Sequence, residues 1–251
     1  SEETICFPYQ IIYDLNSGSG SIQERFYAAG MVTEISSGID LAGPEEKPFF
    51  RCWKDSPDLT GNSYSGGETI TINGDFYLYA EYSDFIFLFI EDGPISINAS
   101  GVTQGSLTKQ SLGKFSISQR NSSVATGNSI SVSYVNADVH ISDINIYAST
   151  AFSISSGGSV NLTLIGANHI KSTSNAGIAM SSGCSLSIFE QGTGSLTVQG
   201  ASGSRPGIGV GGTVSVYSGT VSVTAGNGNF NSAWLGTGGA GGAGINGTLR
   251  V

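Results

Sequence analysis

The sequence predicts an almost entirely β protein in two parts, a small domain over residues 1–83 and a stacked β-solenoid over 84–251. Three observations carry this. Gly, Ser, Thr and β-branched residues dominate, with 37 Gly in 251 residues, and long runs of good helix formers are missing. Apolar residues recur with period two along the chain, so a charged fraction of only 12% does not signal disorder. From about residue 127 the chain repeats itself loosely in units of roughly 20–30 residues, each with two or three alternating β segments.

The first part is read from short strand-like runs: YQIIYDL, MVTEI, PFFRCW, ETITI and FYLYAEY, separated by turn signals such as NSGSGS. Alternation on both sides of Asn73-Gly74 predicts a tight hairpin, with Ile70 and Ile72, then Leu78 and Ala80, on one face. Trp53 and Tyr79 lie in alternating runs and are expected in the core. SIQERFYAAG is the one segment suited to a helical turn, a small α/β element in this domain. Glu45, Glu46, Asp55 and Asp58 fall in loops and are expected to serve solubility; no spacing among them matches a calcium loop.

These residues resemble the Listeria–Bacteroides repeat, also called the internalin B-repeat. Tyr13, Asp14 and Asn16 match its opening, and Phe50 and Trp53 its middle. Tyr64, Gly67, Thr69, Ile70, Asp75, Leu78, Tyr79 and Ala80 match its end. Cys52 stands where that family has Gly, and Tyr82 where it has its final Trp. The resemblance implies a β-grasp-like module of bacterial surface proteins, with a spacer or adhesion role.

In the second part, FIFLFI at 85–90 reads as one fully buried strand, and residues 84–126 as the start or cap of the solenoid. Val139 and Ile141, Leu162 and Leu164, Leu186 and Ile188, and Val214 and Val216 are expected to stack in one inner column. Ile144 and Ile146, Leu196 and Val198, and Val221 and Val223 are expected in another. The alternation puts His140, Thr163, Ser187 and Ser215 outside the first column. Residues 139–212, with VNLTLIGANHIKS, AGIAM, GTGSLTVQG and GIGVGG in order, resemble bacterial surface β-helix domains, some described as carbohydrate-binding. That resemblance implies a right-handed parallel β-helix, as in pectate-lyase-like proteins.

The charge narrows the partners. Residues 1–83 hold 13 acidic and 4 basic side chains, and residues 84–251 hold 6 of each, giving a net −9. An acidic chain with no Lys/Arg cluster repels phosphate backbones, which argues against nucleic acid. No apolar run approaches the roughly 20 residues of a transmembrane helix. A trimmed signal peptide and an extracellular or cell-surface bacterial location are the expectation. Cys6 and Cys52 both lie in strand-like runs, and the pattern leaves open whether they pair; Cys184 alternates with Leu186 and Ile188 and reads as a buried small hydrophobe.

Chemistry-bearing groups are sparse. GIGVGG at 207–212 has the G-x-G-x-x-G spacing of a dinucleotide loop, but the residues after it alternate with period two, and no Asp or Glu follows Glu190. Its glycines are therefore expected at tight corners, and neither cofactor nor metal is expected. Asp138 and His140 share an outer face and Asp143 follows after an expected corner; the three form the one dense ionisable cluster of the solenoid and are the candidate ligand-binding residues, and no residue is assigned a catalytic role. His169 and Lys171 read as surface residues. Tyr134, Tyr147, Phe189 and Tyr217 are candidates for stacking on sugar rings. The expected function is non-catalytic adhesion or glycan binding, with a polysaccharide or a surface glycoprotein as partner. A divergent polysaccharide lyase or hydrolase and a purely structural stalk are the alternatives. The closing GTGGAGGAGINGTLRV is read as a last partial coil.

Overall fold

The computed structural model describes residues 8–226, except 24, 111, 204 and 210. Cys6 and the closing glycine-rich segment lie outside the described residues, and so do the expectations attached to them. The chain divides into two compact units, 1–86 and 87–251. The described residues contain strands and one 3-10 turn, with no α-helix.

The first unit runs β1 (Tyr9–Asp14), β2 (Phe26–Tyr27), β3 (Met31–Glu34), β4 (Phe49–Lys54), β5 (Ser63–Tyr64), β6 (Thr69–Ile72) and β7 (Phe76–Ser83). A mixed five-stranded sheet has the order β2-β1-β7-β4-β5, with β1 and β7 parallel. β3 and β6 form a separate antiparallel pair. Trp53 organises the core: it is fully buried, its ring lies 4.8 Å from Tyr13 and 5.0 Å from Phe50, and its indole N–H donates to the Ser36 carbonyl at 2.7 Å. That bond satisfies the one polar atom the ring carries inside.

Three expectations fail in this unit. The hairpin across Asn73-Gly74 does not form, because β6 pairs with β3 while β7 lies between β1 and β4. A two-residue I′ loop needs positive φ at both central residues, and neither Asn73 nor Gly74 has it. Instead Asp75 accepts the Gln10 N–H at 3.1 Å and ties the start of β7 to β1. The segment suited to a helical turn supplies β2, where Phe26 is exposed and Tyr27 buried; a run this short does not nucleate a helix against a strand partner. Tyr79 is half-buried, since the inward side of β7 belongs to Leu78, Ala80 and Tyr82.

The solenoid is built coil by coil. β8 (Ile86–Phe89), a 3-10 turn (Ile90–Asp92) and β9 (Ile95–Asn98) begin it, and β10 (Gly101–Gln104) and β11 (Leu107–Lys109) form an antiparallel extension. β12 (Lys114–Ser118) and β13 (Ile130–Ser133) follow. Next come β14 (Asn136–Ser142), β15 (Asn145–Ala148) and β16 (Phe152–Ser155), then β17 (Ser159–Ile165), β18 (Ala167–Ser172) and β19 (Ile178–Met180). β20 (Ser185–Glu190), β21 (Ser195–Gln199), β22 (Thr213–Val216) and β23 (Thr220–Thr224) close the described part. About five turns stack in three faces. The first face is β8-β12-β14-β17-β20-β22, the second is β15-β18-β21-β23, and the third is β9-β13-β16-β19, extended by β10 and β11. Each coil buries its apolar side only against its neighbours, at strand spacings of about 4.8 Å.

The inner residues are those expected, with one shift in pairing. Val139 faces Leu162 and Ile141 faces Leu164, but Leu162 then faces Ile188, and Leu186 pairs with Val160. The columns are therefore Ala137–Val160–Leu186–Val214 and Val139–Leu162–Ile188–Val216. On the second face Ile146, Ile170, Val198 and Val223 stack. On the third face Ile95, Ile130, Phe152 and Ile178 stack, as do Ile97, Val132, Ile154 and Met180. Each fully buried Val, Leu, Ile or Phe among them is worth about 1.5–3 kcal/mol. FIFLFI is not uniformly buried: Ile86 and Leu88 point in, Phe87 is exposed, and the chain turns away at Ile90, because the strand meets the core on one side only. β8 and β12 lie in the first face and β9 in the third, which β10 and β11 prolong. Gln104 secures that end, its Nε2 donating to the carbonyls of Phe89 and Gly93. Cys184 is buried, as its alternation implies.

Candidate binding face

The first face presents its outward residues in register. Lys114, Asp138, Asn161, Ser187 and Ser215 make one row; Ser116, His140, Thr163 and Phe189 make the next. Tyr217 directly follows Val216, the partner of Ile188, and so lies opposite Phe189. The period-two alternation that buries Val139 and Ile141 is what turns Asp138 and His140 outward together. The Asn161 amide donates to Asp138 Oδ1 at 2.8 Å, so one coil fixes the carboxylate of the coil before. Ser185 and Ser159 hydroxyls meet at 2.6 Å in the same manner. Phe189 and Tyr217 stack with centroids 4.8 Å apart and planes at 2°, a flat aromatic platform on the same face as the polar row.

Asp143 follows the strand that carries Asp138 and His140, past the corner expected there. It sits at the corner after β14 with φ of 51°, its N–H donates to the Ile165 carbonyl, and its Oδ1 accepts the Ala167 N–H at 2.9 Å. A Cβ at Gly166, the corresponding corner one coil on, would lie 2.1 Å from that same Oδ1. The residue turns the chain between two faces. The four candidate aromatics separate: Tyr134 is at a turn, Tyr147 is on the second face, and Phe189 and Tyr217 alone come together. Asn161 was not among the sequence candidates. The signal for it is its position two residues before Thr163 on the same strand, once coils are aligned on Val139–Leu162.

Among the described residues, no group of three or more His, Cys, Asp or Glu is arranged to hold a metal. GIGVGG is followed by β22 rather than a helix, and its glycines sit where an added Cβ would clash with a neighbouring coil or strand. A Cβ at Gly207 would meet Val223 Cγ1 at 2.4 Å, and one at Gly212 the Cys184 carbonyl at 2.3 Å. A cavity of about 670 Å³ in the first unit is lined by Tyr13, Arg25, Tyr27 and Glu34, but the Tyr13 hydroxyl there already accepts the Ser36 N–H as part of the fold. No protein-family model, curated protein or solved structure matches the chain.

Proposed function

We propose that this protein is a non-catalytic glycan-binding module of a bacterial cell surface, acting in adhesion, with the first solenoid face as its binding surface. The observation that carries the reading is the Phe189–Tyr217 platform in register with a polar row. Flat aromatic rings take the apolar side of a pyranose, and the neighbouring carboxylate, amide and hydroxyl groups of Asp138, Asn161 and Ser187 suit its hydroxyls. The resemblance of residues 139–212 to surface β-helix domains, and of the first unit to the internalin B-repeat, supports the location and the role. Partners are a polysaccharide or the glycan of a surface glycoprotein.

The lyase or hydrolase alternative has less support. Glycosidases need two carboxyls within about 9.5 Å. Within β14, β17 and β20 the acids are Asp138 and Glu190, and three residues along the strand plus two coils separate their backbone positions by about 14 Å. The test is a panel of soluble polysaccharides assayed for both binding and chain cleavage. Phe189→Ala and Tyr217→Ala are expected to weaken binding roughly two- to tenfold each, since one aromatic contact is worth about 0.5–1.5 kcal/mol. Turnover that disappears in Asp138→Ala would overturn the non-catalytic reading, and binding unaffected by either ring would move the site elsewhere.

A further inference from the structure

In the first unit, the cavity of about 670 Å³ is a cleft along the free side of β3. β3 pairs with β6 alone, and no residue of β6 lines the cleft. Six consecutive residues, 32–37, form one wall. A pocket over a strand's face meets every second residue, so this one meets the strand at its edge. The hydrogen bonds agree. The Ile35 N–H donates to the Glu68 carbonyl at 3.0 Å, which turns the odd-numbered amides of β3 toward β6 and those of Val32 and Glu34 away from it. The next amide of that outward row, Ser36, donates at 2.9 Å to the hydroxyl of Tyr13, a cleft residue. The N–H and C=O groups of Val32 and Glu34 have no partner among the described residues.

We infer that a basic, extended segment of a partner protein adds to β3 as a strand in this cleft. Unpaired amides two residues apart match the period of a strand and receive its carbonyls. The side chains set the rest. Val32 is 63% exposed, and it shares a side of β3 with the exposed Glu34. An added strand places a β-branched residue beside Val32 and, two positions on, a Lys or Arg beside Glu34. Its alternate residues turn toward Ile22 and Tyr27. Neither Glu34 nor Arg25, on the opposite wall, has an ion pair among the described residues. Arg25 has donors for the carbonyls on the segment's far edge. A second copy of this chain fits less well, because residues 1–83 hold 13 acidic and 4 basic side chains and two such units repel. The same excess of acid attracts a basic segment.

The inference is independent of glycan binding by the solenoid. The test uses the full chain and labelled, capped heptapeptides of alternating valine and threonine, with Lys, Glu or Thr at the central position. Fluorescence anisotropy is expected to show the Lys peptide bound roughly three- to fivefold more tightly than the Glu peptide, with added salt narrowing the gap. Methylating the peptide nitrogens of one parity is expected to weaken binding about tenfold or more, and methylating those of the other parity to leave it unchanged, since only one edge of a strand meets β3. Val32→Pro removes an outward amide without touching a bond to β6 and is expected to abolish binding. Glu34→Gln is expected to erase the preference for Lys while keeping the Thr peptide, and Phe189→Ala to change nothing. No binding of any peptide, equal loss from both methylation patterns, or a Lys preference that survives Glu34→Gln would overturn the inference. A dimer of the chain that Val32→Pro dissociates would overturn it in favour of a second copy.

Discussion

Asn168 Oδ1 accepts the backbone N–H of Ile144, 24 residues earlier, at 3.2 Å, inside the solenoid. Its Nδ2 donates to the carbonyls of Ile165 and Ser195 at 3.1 Å, so one buried amide bonds to the coils before and after its own. It occupies an inward position of β18 with 1% exposure. Removing it orphans the buried Ile144 donor and takes a partner from the Ile165 and Ser195 carbonyls. Asn168→Ala and Asn168→Leu are both expected to cost about 2–4 kcal/mol, the leucine showing that lost hydrogen bonds rather than lost volume decide the effect. Urea unfolding measures this, and a loss below about 0.5 kcal/mol in the leucine variant would refute it.

The same residue marks where sequence reading reaches its limit. Period-two alternation identifies the buried members of the first and second faces, because Val, Ile and Leu fill them, but a polar residue inside looks like one outside. Alternation also cannot distinguish a pairing from one shifted by two. Coil length changes from 23 residues at Ser159 to 26 at Ser185, which moved Leu186 from Leu162 to Val160. Local signals in the first unit, Asn73-Gly74 above all, were overridden by partners distant in sequence. At the site, Asp138 and His140 were legible because they share one strand. The stacking of Phe189 on Tyr217 depends on coil register, which no single strand contains.

The Tyr82 hydroxyl is buried and has no hydrogen-bond partner among the described residues. Gly18 makes room for it, since a Cβ there would lie 1.9 Å from the oxygen. Burial raises the phenol pKa, and nothing offsets the desolvation. Tyr82→Phe is therefore expected to leave stability unchanged or raise it by about 1 kcal/mol. Tyr82→Trp is expected to cost about 1–3 kcal/mol by overpacking against Gly18 and Gly43. Thermal unfolding ranks the three, and a clear loss in the phenylalanine variant would show that the hydroxyl has a partner.

Cys52 donates its thiol to Glu81 Oε2 at 3.2 Å, and Glu81 also pairs with Arg51 at 2.7 Å. Burial first, and then the hydrogen bond and charge of Glu81, push the thiol up to about 11. The thiolate is the nucleophile, so Cys52 should alkylate slowly at pH 8. Glu81→Gln removes the charge and leaves Arg51 and Lys54 nearby, which is expected to speed the reaction severalfold. Peptide mapping after timed iodoacetamide treatment isolates Cys52 from the other cysteines. An unchanged rate in Glu81→Gln would leave burial as the sole cause.

Asp55 and Asp58 brace the loop between β4 and β5. Asp55 accepts from the backbone and side chain of Asn62, and Asp58 from Ser56 and Thr60. These bonds favour the carboxylate, lowering Asp55 below its ordinary value and Asp58 from 3.8 to about 2. A depressed folded-state pKa contributes stability that is present above the unfolded value and lost as pH falls through the folded one. The stability difference between wild type and Asp58→Asn should therefore hold from pH 7 to about 4 and shrink between about 4 and 2. Paired melting curves across that range test it; a difference constant down to pH 2 would contradict the assignment.

Gly207 tests the close packing at GIGVGG. Its added Cβ would meet Val223 Cγ1 at 2.4 Å and the Thr224 carbonyl at 2.9 Å, an inner-column side chain and a backbone atom. Its φ is not in the left-handed region, so strain from conformation does not enter. Gly207→Ala is then expected to cost about 1–3 kcal/mol by overpacking alone. Gly183 has the opposite character, with φ of 79° and nothing within 4 Å of its Cβ. Gly183→Ala is expected to cost about 1–2 kcal/mol from conformation. Trimming the facing side chain separates the two causes: Val223→Ala in the Gly207→Ala background should recover part of the loss, whereas no change at position 223 should help Gly183→Ala. A double variant no more stable than Gly207→Ala would place the clash on the Thr224 backbone instead.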